Sequence, residues 1–220
     1  MLERWSLFVV SFLSIAVASA GPITYDVTVD TSSISGTAGS LDFNFNPGPL
    51  VTQGASLQIV GFASDGTFTG SPTLTGDVTG ALPSTLTFDN GTGFNDYFTS
   101  FTFGSTLSFD VSLFGPALSS PDGVSTSGST FAFSMFSDPV GTIPVLTTDT
   151  TDGFAFTVDV NLDGTTTATS FLPVSGAPEP GTTSLVITGM ALIGLAARIR
   201  RSAFGSGRGR PVGRGTCESQ

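Results

Sequence analysis

The chain has no lysine and no histidine, and its single cysteine is Cys217. All seven basic residues are arginines at the two ends: Arg4, then Arg198, Arg200, Arg201, Arg208, Arg210 and Arg214. Between residues 21 and 177 there is no positive side chain and no glutamate, only 14 aspartates. Each absence closes a class of function. Nucleic-acid binding needs Lys or Arg to neutralise phosphates, and the body has neither. Triads and dyads built on His, Cys or Lys have no residue to use. Zinc sites of His and Cys are excluded. One cysteine allows no intrachain disulfide, so the body must be held by its core. The sequence reads as a non-enzyme: paired aspartates for acid–base work on a glycoside are the only scheme left, with no Glu, His, Lys or Cys to share the task.

The first twenty residues read as a secretory signal peptide. Arg4 marks the charged start, with Glu3 beside it, and residues 7–17 form an apolar run of eleven. That is short for a membrane span. Ala18-Ser19-Ala20 supplies small residues at Ala18 and Ala20, so cleavage is expected after Ala20. At the other end Pro178, Glu179 and Pro180 precede 16 uncharged residues, 182–197, and then Arg198, Arg200 and Arg201. As a helix the run is about 24 Å long, a little under the hydrocarbon thickness. Arg198 makes up the difference by snorkelling. The arginines stay cytoplasmic by the positive-inside rule, which leaves the body outside the inner membrane.

This end resembles the PEP-CTERM sorting signal of Gram-negative bacteria. Pro178, Glu179 and Pro180 match its recognition motif, residues 185–197 its helix, and Arg198, Arg200 and Arg201 its basic stop. The resemblance implies export through the Sec translocon, anchoring in the inner membrane, and trimming by exosortase near the motif. The body would then reach the cell surface or the medium. Such signals usually stop a few residues after the arginines; here residues 202–220 follow, a Gly- and Arg-rich stretch expected to be disordered. The organisation is therefore a signal peptide (1–20), a body (21–172), a linker with the motif (173–181), a membrane helix with its Arg stop (182–201) and a tail (202–220).

The body alternates with period two, which predicts strands. Ile23, Tyr25, Val27 and Val29 alternate with polar residues, as do Leu41, Phe43 and Phe45, and Leu107, Phe109, Val111 and Leu113. Phe131, Phe133 and Met135 keep the same period, as do Phe154, Phe156, Val158 and Val160. Weaker runs at 57–62, 67–69, 74–78, 86–88 and 98–103 bring the expected total to about ten. The predicted fold class is all-β, an antiparallel sandwich or jelly roll. Its apolar rows face inward and its Thr, Ser and Asp rows face water. Seventeen phenylalanines supply the core. Asp65-Gly66, Asn90-Gly91, Asp122-Gly123, Asp152-Gly153 and Asp163-Gly164 mark turns, as two-residue hairpins require.

Two motifs bear on chemistry. Asp159, Asn161 and Asp163 lie in a D-x-N-x-D-G string, which opens a calcium loop. The twelfth position is Ser170 where a bidentate Glu is expected, and no helical pattern flanks it. A hairpin explains the same residues and is the preferred reading; a surface Ca2+ site at Asp159, Asn161 and Asp163 is the alternative. Asn90-Gly91-Thr92 fits a glycosylation sequon and is equally a turn. Sugar binding would want an exposed aromatic platform; Tyr25 is expected in the core and Tyr97 at the surface. The resemblance at the C-terminus implies a structural or adhesive role in extracellular matrix or biofilm, with extracellular polysaccharide as a partner. The alternative is a calcium- or glycan-binding surface module.

Overall fold

The computed structural model describes residues 21–173, all within the first of two units of the chain, which ends at Pro173. The signal peptide (Ala18, Ala20), the motif at Pro178, Glu179 and Pro180, the membrane run, Arg198, Arg200, Arg201 and the tail lie outside the described residues. Among the described residues no helix is long and apolar enough to cross a membrane. The strands in chain order are β1 (Ile23–Asp30), β2 (Ala38–Pro47), β3 (Ser56–Ser64), β4 (Thr67–Phe68), β5 (Thr73–Thr75) and β6 (Val78–Gly80). Then follow β7 (Leu86–Asp89), β8 (Asp96–Thr102), β9 (Thr106–Phe114), β10 (Ser129–Phe136), β11 (Phe154–Val160) and β12 (Thr166–Ser170). One helical turn, α1 (Pro116–Ser119), precedes β10.

All the pairings between these strands are antiparallel, as the alternation predicts, and they form two sheets. The first runs β1-β9-β3-β7-β6 and the second β12-β11-β10-β2-β8-β4, with β5 also on β8. The inner rows meet in one core. Phe133 of β10 pairs directly with Phe43 of β2, and their rings lie 4.8 Å apart. Phe109 of the first sheet inserts against both, 5.2 Å from Phe43 and 5.0 Å from Phe133, nearly edge-on to each. All three are buried. Such pairs add about 1 kcal/mol beyond the area they bury. A second aromatic group, Phe62, Phe68, Phe101 and Phe103, fills the core toward the β4 edge.

The turn signals resolve differently from the expectation. Of the five Gly pairs only Asp163-Gly164 closes a hairpin, between β11 and β12. Asp65-Gly66 and Asn90-Gly91 carry the chain from one sheet to the other, since β3 and β7 belong to the first sheet and β4 and β8 to the second. A Cβ on Gly66 would collide with the Phe101 ring, so close packing, not turn geometry, demands that glycine. The run 74–78 divides into β5 and β6 at Gly76, whose φ is +72°.

Asn95 pins the crossing from β7 to β8. It is fully buried. Its side-chain amide donates to the carbonyls of Phe45 and Thr92, each at 2.9 Å, and its Oδ1 accepts from the Asp77 amide at 2.8 Å and from the Thr92 hydroxyl. Its own backbone N–H donates to Asn46 Oδ1 at 2.7 Å. Asn95→Ala orphans the Asp77 amide and the Phe45 carbonyl together. The expected loss is about 3 kcal/mol, read from urea unfolding followed by circular dichroism; a loss under about 1 kcal/mol would refute this role for the side chain.

The outer face of the second sheet is not all solvated. The segment 137–153 crosses it: Ser40 Oγ donates to the Asp138 carbonyl at 2.8 Å, and Gly141 sits against the rings of Phe98 and Phe136. Asp42 lies between these contacts, on the same face as Ser40 and opposite Phe98 of β8 and Ser134 of β10.

Candidate functional site

The groove that holds Asp159 and Asn161 is built where β10 begins and β11 ends. It encloses about 260 Å3 and is lined by Gly48, residues 127–130 and residues 159–162. The two strands pair in register, Thr130 opposite Asp159 and Ser129 opposite Val160. That pairing sets Thr130 and Asp159 on the outer face, and the Thr130 hydroxyl donates to Asp159 Oδ1 at 2.6 Å. Segment 48–52 closes one wall. The Gly48 amide donates to the Gly128 carbonyl at 2.7 Å, and the Val51 carbonyl accepts from the amides of Thr126 and Ser127. A Cβ on Gly128 would strike the Val160 carbonyl, so glycine is what lets these backbones close.

Of the three residues in the D-x-N-x-D-G string, the structure brings Asp159 and Asn161 to the groove and leaves Asp163 out of its lining. Asn161 donates from its amide nitrogen to the hydroxyls of Thr165 at 3.0 Å and Thr167 at 3.1 Å. Asp163 caps the turn: its Oδ1 accepts from the Thr165 hydroxyl at 2.6 Å and the Thr165 amide at 3.0 Å. These bonds hold its carboxyl below the ordinary range, the hydroxyl contributing most. The hairpin reading therefore describes this stretch. Calcium takes six to eight oxygens. The groove lining offers one carboxylate, Asp159, and among the described residues no three acidic, Cys or His side chains gather as a metal group.

The loops around the groove carry exposed apolar side chains: Leu50, Val51, Val124 and Leu162. Phe94, 55 % exposed, lies in the connection between β7 and β8 at the same end of the strands. No family model, curated protein or solved structure matches the chain. Function is therefore read from this geometry and from the sequence.

Three further expectations meet the structure here. Tyr97 is buried, not at the surface, and its hydroxyl oxygen accepts the Leu82 amide at 3.2 Å. It offers no platform for a sugar. Tyr25 is half-buried against the core, with its hydroxyl 2.6 Å from that of Thr166. Asn90 has both amide hydrogens engaged, with the Gln53 carbonyl at 2.9 Å and Ser129 Oγ at 2.8 Å. The sequon nitrogen is a structural donor that holds the start of β10, not a free attachment point.

One functional-looking group escaped the pattern reading. Asp42 looks like an ordinary solvent-row residue of β2, yet its Oδ1 is buried without a partner. Burial, then the Asp96 carboxyl beside it, pushes its pKa up to about 8. Asp96 itself is raised, chiefly by burial. With both carboxyls raised and adjacent, the pair favours holding one proton between them. Neither lines the groove. Only strand register could have revealed the pair: Asn44 pairs with Asp96, which sets Asp96 diagonally across from Asp42.

Proposed function

We propose that the chain is an exported cell-surface or secreted protein with a structural or adhesive role in extracellular matrix or biofilm. Its body is a β-sandwich, delivered by the signal peptide and sorted through the PEP-CTERM-like tail, with exosortase as the processing partner. The observation that carries the adhesive part is the loop end of the sheets: a groove of hydroxyls, one carboxylate and one amide, rimmed by Leu50, Val51 and Leu162. Apolar side chains around convergent polar groups mark a binding surface. Hydroxyls, a carboxylate and an amide suit a polyhydroxylated polymer, which makes extracellular polysaccharide the ligand class. On this reading the protein binds and does not catalyse. Residues 21–173 contain no His, Lys, Glu or Cys, and the proton-sharing Asp42 and Asp96 lie away from the groove lining.

A calcium- or glycan-binding module is the second reading, favoured by Asp159 and Asn161 in the same groove. Both readings meet one experiment. The protein is recovered from the cell exterior and its intact mass checked for a start at Gly21. It is then titrated with the cells' purified extracellular polysaccharide, with and without millimolar calcium. Leu162→Ser is expected to weaken binding about tenfold at unchanged melting temperature, and Asn161→Ala about tenfold with a lowered melting temperature, since it also loses the bonds to Thr165 and Thr167. Binding that both variants leave intact, or protein found only in the cytosol, would overturn the proposal. Binding that appears only with calcium would select the second reading.

A further inference from the structure

We propose that the β12 edge of the second sheet pairs with the β12 edge of a second copy of this chain, joining two sheets into one. The inference stands on the edge itself and not on the groove.

A sheet edge presents unpaired N–H and C=O groups, and proteins usually guard it with charge, proline or shortness. The other edges here are guarded. β1 carries Asp26 and Asp30. β4, β5 and β6 are two or three residues long. β12 is Thr-Thr-Ala-Thr-Ser, five residues with no charge and no proline, and residues 167–170 are exposed. It is an uncharged edge on a body of 14 aspartates. Two such bodies repel each other over most of their surfaces and can meet closely only where charge is lacking.

The hydrogen-bond phase of this strand is fixed at both ends. The Asn161 amide donates to the Thr165 carbonyl, and the Phe171 amide donates to the Ala155 carbonyl. In an antiparallel ladder bonded residues alternate, so residues 165, 167, 169 and 171 face β11. The backbone groups of Thr166, Ala168 and Ser170 therefore point away from the sheet. These three are symmetric about Ala168. A two-fold axis there sets Ala168 opposite itself and Thr166 opposite Ser170 of the partner copy. Every outward donor then meets an outward acceptor. Two-fold symmetry requires this self-complementarity of an interface. In the same register Asp163 falls opposite Pro173, so no aspartate faces an aspartate along the strand, and Pro173 ends the pairing. An acidic partner protein would lack this match, and an extended basic peptide would prefer the β1 edge with its aspartates.

The test is hydrogen exchange of the full chain over a range of concentrations, with sedimentation of the wild type and two variants. Amides of Thr166, Ala168 and Ser170 are expected to be protected at high concentration and to lose protection on dilution. Ala168→Pro deletes an N–H unused within the monomer and both copies of the central bond, and is expected to weaken association roughly a hundredfold. Ala168→Asp sets two carboxylates face to face on the axis and is expected to do the same; it decides the matter if the proline variant fails to fold. Three results overturn the proposal: fast exchange at every concentration, protection that persists at every dilution because another segment or partner covers the edge, or variants that associate like the wild type.

Discussion

Asp42→Asn should stabilise the body at alkaline pH and flatten its pH dependence. The folded carboxyl titrates at about 8, the unfolded one near 3.9. Between these values the native state holds one proton more than the unfolded chain, so stability is highest on the acid side and falls as pH rises. The slope is about 1.4 kcal/mol per pH unit for one proton. Wild type should therefore lose about 3.6 kcal/mol between pH 5 and pH 8. Asparagine keeps the shape, donates to Asp96 and does not titrate. The aspartates of the loops run the other way. Asp30, Asp65, Asp122, Asp149 and Asp163 are held low by hydroxyl or amide donors of Ser32, Ser105, Ser125, Thr151 and Thr165 respectively. Their contribution is present above about pH 4 and lost below it. Stability should then peak near pH 4 to 5 in the wild type and plateau toward pH 8 in the variant. Urea midpoints at half-unit steps measure both curves; parallel curves would refute the proton-sharing pair.

Phe43→Ala should cost about 4 kcal/mol, the largest loss of any single truncation proposed here. The ring touches Phe133 on its own sheet, Phe109 on the other, and Tyr97 on β8 at 6.4 Å. It is fully buried, so the cavity opens where the two sheets meet. A domain held by about 5 to 15 kcal/mol, with no disulfide in reserve, would sit near its unfolding limit. Phe43→Leu keeps most of the volume and should cost about 1.5 kcal/mol. Unfolding is followed by circular dichroism, since the only tryptophan is Trp5. A cost below 1 kcal/mol for the alanine variant would mean that the sheets do not depend on this contact.

What could be read in advance was what depends on alternation alone. Ile23 to Val29 and Leu107 to Leu113 became β1 and β9 because one row is apolar and the other polar, whatever the neighbours are. What failed depended on neighbours. Phe98 lies in an apolar run but on the outer face of β8, while Thr99 faces the core; the segment 137–153 supplies Phe98 with a cover through Gly141. Tyr97 reads as a surface residue in the sequence, and its strand phase takes it inside. Asp65-Gly66 carries the same turn signal as Asp163-Gly164, yet one changes sheets and the other closes a hairpin. Local composition fixes the bend, and strand pairing far away fixes its role. The groove was half legible. Asp159 and Asn161 were singled out for their spacing, whereas Gly48 and Ser127 come from segments more than 70 residues apart.

The hairpin that supports the groove also decides which way it looks. Its turn lies at the groove, and β12 then runs the full return leg, to Phe171 beside Ala155, before the chain leaves the domain at Pro173. Five residues of strand, about 17 Å, separate the point of departure from the loops that carry Asn161 and Leu162. The groove loops with Asn161 and Leu162 and the last described residue, Pro173, therefore stand at opposite ends of the same hairpin.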